Sequence, residues 1–79
     1  MKKRSLIVVE WYDVSSFSGW MPVKDSLQEE HPFEAVMVGW ELGKNKEYIT
    51  LATAFTEDEE SNGRRCIPRG CIKSIRRLE

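Results

Sequence analysis

Few side chains in this sequence could make or break bonds. The single histidine, His31, precedes Pro32 in a polar stretch, while Asp13, Ser15 and Ser16 lie nearer the amino end. A Ser/His/Asp relay can be written from these types, but it needs nucleophile, base and orienting group within hydrogen-bonding reach. No nucleophile-elbow spacing supplies that frame. The expectation is therefore a protein that is not an enzyme, with His31 facing solvent at a helix end. Asp13, Ser15 and Ser16 have two readings. They make turn hydrogen bonds to backbone N–H groups, or they bind a polar ligand such as a ribose or base edge, and the turn is the more economical.

Cys66 and Cys71 stand five apart. A structural zinc site needs about four ligands, usually in close pairs, so two thiols and a distant histidine point to no metal and no cofactor. Small buried hydrophobes are the expected role for both. The better candidates for binding chemistry are Arg64, Arg65 and Arg69, because guanidinium forks match phosphate oxygens in pairs. Glu57, Asp58, Glu59 and Glu60 precede them and are expected to pair with them across a hairpin. That acidic run would also repel a long nucleic-acid backbone. Trp11 and Trp40 fall in apolar registers and are expected in the core or an interface. Trp20 follows Ser18-Gly19 and either packs back as a lid or stacks on a base, with packing favoured in so small a domain.

These groups must be carried by short strands. Ser5–Val14 is rich in β-branched and aromatic residues and reads as a strand covered on both faces at its start. Phe33–Leu42 is a second, with Val36, Val38, Trp40 and Leu42 on one face and a bulge or bend at Gly39. Gly43 to Lys46 reads as a hairpin turn leading into Glu47–Phe55, whose Ile49, Leu51 and Phe55 point inward. Thr56–Asn62 reads as an acidic loop ended by Gly63. Arg64–Ile67 and Cys71–Leu78 complete the set, joined through Pro68-Arg69-Gly70 by one turn of 3₁₀ helix. Between the first two strands, Pro22 opens a short helix to about Glu30. The pattern predicts an all-β fold: a small five-stranded antiparallel barrel with a long loop or short helix after its first strand.

Seventy-nine residues give one domain with a marginal core, since such a chain buries only about 60% of its unfolded surface. Apolar residues are 41% and charged residues 32% of the chain, with a net charge of −1. That balance excludes a disordered chain and a basic nucleic-acid wrapper. The longest apolar run, Leu6 to Val9, is far short of a membrane span, and no signal-peptide core follows Lys2-Lys3-Arg4. A cytoplasmic location is expected. The charge is segregated: nine of twelve basic residues lie in the first four or after Gly63, and twelve of thirteen acids lie between. If the ends meet in one sheet, they make a basic surface on an acidic molecule. Such a surface guards edge strands from aggregation or receives an anion.

The run Gly63-Arg64-Arg65-Cys66-Ile67-Pro68-Arg69-Gly70-Cys71-Ile72 resembles the strand, 3₁₀ turn and last strand of Src-homology-type barrels. The paired tryptophans and acidic, tyrosine-bearing first loop of the peptide-binding members are missing from the matching places, so proline-rich peptide binding is not implied. A wider set, Val9-Glu10-Trp11-Tyr12-Asp13, Gly19-Trp20, Val38-Gly39-Trp40, Leu51-Ala52 and Ile67 to Ile72, resembles small proteins encoded by bacteriophages and prophages. That resemblance implies a bacterial host cytoplasm and a barrel related to Sm-like and Src-homology folds, and supplies no catalytic residue. Sm-like barrels commonly form RNA-binding rings, and other small phage proteins assemble into sponges for nucleotide signals. The leading expectation is a self-assembling, non-enzymatic barrel that sequesters a compact nucleotide-like anion in counter-defence. Its contacts would be Arg64, Arg65, Arg69, Trp20, Asp13 and Ser15. The alternatives are an Sm-like single-strand binder, or an adaptor that inhibits a host protein through a sheet edge or apolar patch.

Overall fold

The computed structural model describes residues 3–13, 19–29 and 32–78. It is mostly β: strands β1 (Leu6–Asp13), β2 (Phe33–Lys44), β3 (Tyr48–Phe55), β4 (Ser61–Pro68) and β5 (Ile72–Arg77). A short helix α1 (Val23–Glu29) lies between β1 and β2, and a 3₁₀ turn (Arg69–Cys71) joins β4 to β5. All five strands are antiparallel in one sheet of order β4-β3-β2-β1-β5. The chain ends do meet, because β1 and β5 are neighbours with Ile7 opposite Arg77. The sheet is not closed, since β4 and β5 are its two edges.

The sheet is nevertheless strongly curled. β4 and β1 stand three places apart, about 14 Å in a flat sheet. Yet the Arg65 guanidinium of β4 lies 5.4 Å from the centroid of the Trp11 ring of β1. The core fills this concave side. Ile7, Val9 and Trp11 of β1 meet Ile49 and Leu51 of β3 and Ile67 of β4, with Ala35, Met37 and Ile72 packed around them. Alternation explains the selection: every second residue of β1 and β3 faces inward. Val8, on the other face of β1, is also buried, so the start of this strand is covered on both sides as its composition predicts.

Several boundaries and packings differ from the expectation. On β2 the face that packs on the core is Ala35 and Met37, while Val36 and Val38 are 64% and 51% exposed. The register was legible from the pattern, but which face turned inward was not. Gly39 carries no bulge; the register shift falls between Glu41 and Gly43. Gly39 is instead a close approach, because a Cβ there would lie 2.9 Å from the Ala52 carbonyl oxygen. β2 runs on to Lys44, and Asn45 makes the turn, its Oδ1 accepting from the N–H groups of Glu47 and Tyr48. β4 begins at Ser61, inside the expected loop, with Gly63 in it at φ 65°. A Cβ there would collide with Thr53 Oγ1.

Candidate functional site

Residues at the end of β1 and along β4 enclose the site that these elements build. Tyr12 and Asp13 form one wall, and Arg65, Cys66, Ile67 and Pro68 form the other. Trp11 and Cys71 complete a cleft of about 230 Å³. That volume is below the usual range for drug-sized ligands, about 300–1,000 Å³, so the cleft suits a compact molecule or part of one. It exists because the curled sheet brings β4 over β1 without pairing β4 to β5. Trp11 is 6% exposed and offers its ring to Arg65, a cation–π contact. Tyr12 is 42% exposed, and alternation along β1 turns its ring to the face that carries Glu10 and Glu34, away from Trp11.

The three expected arginines are not equivalent here. Adjacent residues of a strand point to opposite faces. Arg65 stands opposite buried Leu51, and Arg64 opposite Ala52. Arg64 Nη1 donates to the Ser61 carbonyl oxygen at 2.6 Å, and Arg69 Nε donates to the Asn45 carbonyl oxygen at 2.8 Å. Arg65 differs from both. Among the described residues its guanidinium has no hydrogen bond and no carboxylate partner, only the Trp11 ring. A guanidinium so placed keeps its N–H donors for an incoming oxygen atom.

Asp13 shares the cleft with Arg65, whereas Arg64, Arg69 and Trp20 do not line it. Trp20 is fully exposed, so the packed-lid reading is corrected: nothing among the described residues covers it. Ser15, Ser16 and His31 lie outside the described residues. Cys66 and Cys71 are free thiols, Cys66 exposed and Cys71 half-buried, which corrects the expectation of two buried hydrophobes. The acidic loop does not pair with Arg64 or Arg65 among the described residues. Glu59 instead bonds Arg4 at 2.5 Å, and Arg4 also lies over the Phe55 ring.

Trp11 and Tyr12 were missed as site residues. The signal available was their place at the outgoing end of β1, beside Asp13 and before the long excursion. The partnership of Trp11 with Arg65 is hidden from the sequence because it depends on curvature. Among the described residues no cluster of three or more His, Cys, Asp or Glu side chains could hold a metal ion, and no helix is long and apolar enough to cross a membrane. Compared with known proteins, the chain matches no family model, and neither the curated proteins nor the solved structures give a significant match.

Proposed function

We propose that this protein is a non-enzymatic binding protein of phage type that assembles with copies of itself. It takes up a compact anionic, nucleotide-like ligand and thereby withdraws it from solution. The observation that carries this reading is Arg65: a guanidinium over the Trp11 ring, in a small cleft, with its donors unspent. An anion's oxygens accept from those donors in a charge-assisted fork. The Asp13 carboxylate, in the same cleft, accepts from a ligand N–H or O–H. In this reading Arg65 and Asp13 hold the ligand by charge and hydrogen bonds and leave it unchanged.

Five antiparallel strands, strong curl and a 3₁₀ turn before the last strand support a barrel related to the Src-homology and Sm-like folds. Exposed Trp20, Val23, Leu27, Val36 and Val38 support self-assembly, because apolar surface of this kind is removed from water when copies meet. The test is native mass spectrometry with nucleoside monophosphates and cyclic dinucleotides, on the native protein and on Arg65→Gln. A stoichiometric adduct on an oligomer, weakened about tenfold or more by Arg65→Gln, is expected, since a charged hydrogen bond contributes about 1.5–3 kcal/mol. A bare monomer with every probe, or an adduct indifferent to Arg65→Gln, overturns the reading.

A further inference from the structure

The stretch from Ser61 to Leu78 supplies both edge strands and the turn between them. It contains Arg64, Arg65, Arg69, Lys73, Arg76 and Arg77 and no aspartate or glutamate. Within β5 these cations fall into two groups. Lys73 is engaged, its Nζ donating to Glu34 at 3.0 Å, and Ser74 Oγ donates to Glu10 at 2.9 Å. Arg76 and Arg77 have no hydrogen bond or ion pair among the described residues. They sit opposite Val8 and Ile7, beyond the register shift at Glu10/Trp11, where β5 pairs regularly with β1. Among the described residues no strand lies beside β5's other edge, so that edge offers a row of backbone N–H and C=O groups for pairing.

We propose that this edge receives an extended acidic segment of another protein, added antiparallel to β5 as a sixth strand. Backbone pairing would give the affinity and the flanking side chains the selectivity. The register defines the partner. Two successive acidic residues would stand opposite Arg77 and Arg76, on opposite faces, followed by an apolar residue opposite Ile75. Ile75 faces the Val9 side and is 38% exposed, so it has apolar surface left to cover. A second copy of this chain is the poorer occupant at this edge. Pairing β5 with a neighbour's β4 or β5 sets arginine and lysine against arginine, and like charges across a strand pair are destabilising. A nucleic acid would meet the cations but has no use for a strand edge.

The test is fluorescence anisotropy with a blocked, labelled decapeptide whose core is two glutamates followed by isoleucine. Saturable binding to the native protein is expected, and the double variant Arg76→Glu, Arg77→Glu should bind about tenfold more weakly, a change of about 1.4 kcal/mol. A peptide with lysines in place of the glutamates should bind that variant in preference to the native protein. This exchange shows that the variant is folded. A backbone N-methylated form of the acidic peptide should not bind. Three results would overturn the proposal: no saturable binding, equal binding of the N-methylated peptide, or tighter binding of an oligouridylate of equal charge. Arg76 and Arg77 lie outside the cleft of Trp11, Asp13 and Arg65, so failure here leaves the anion-binding reading standing.

Discussion

Arg64 and Arg65 are neighbours in sequence and could be taken for one phosphate clamp. A strand separates them to opposite faces, and a fourth strand read from composition already contained that division. What it lacked was the partner, because the Trp11 ring reaches Arg65 only through the curl of three intervening strand pairings. At this scale Arg64→Gln is expected to leave anion binding within about twofold of native, since its Nη1 is engaged with Ser61. Titration of both variants against one nucleotide would check the contrast. Lys73 gives a pH expectation. Its hydrogen bond to Glu34, then the Glu34 charge, raise its pKa above the ordinary 10.5. A raised folded pKa gives stability fully present below the unfolded value and lost as pH climbs past it. Thermal melts between pH 6 and pH 9 should therefore show no contribution from Lys73→Gln that varies with pH.

The strands themselves were largely legible, because β-branched runs, turn residues and apolar alternation agree along β1, β3 and β5. One departure falls where a backbone contact outranks the local pattern. The pattern at Gly39 predicts a bulge or bend, but its lack of a side chain admits the Ala52 carbonyl. Gly39→Ala is expected to cost about 1–3 kcal/mol, as overpacking does, and to lower the melting temperature by about 4–8 °C for each kcal/mol. Calorimetry would read it directly, and an unchanged melt would contradict the close approach. Leu51→Ala should be harsher. Leu51 is fully buried at the centre of the core, and removing it should cost about 2–5 kcal/mol. Chemical denaturation should find that variant largely unfolded.

At the scale of the molecule, the long axis is 55 Å against 22 and 20 Å across. The longest strand has twelve residues, about 40 Å at about 3.4 Å each, so strand length alone does not account for that axis. The Cα radius of gyration, 16.1 Å, exceeds the roughly 12 Å of a compact chain this size. Composition predicted a small core, and only eight described apolar side chains are buried. It could not predict an open sheet, because closure depends on whether β4 and β5 meet, and both read as equally good strands. The open seam beside β4 is what leaves Arg65 and its cleft accessible.

Whether Arg65 over Trp11 receives a compact anion can be read by isothermal titration of the native protein and Arg65→Gln with a cyclic dinucleotide and a nucleoside monophosphate. Saturable binding of at least one probe is expected, with quenching of tryptophan fluorescence and a loss of about tenfold or more in Arg65→Gln. Heat signals that match buffer for both probes, or equal affinity in the two proteins, would contradict it.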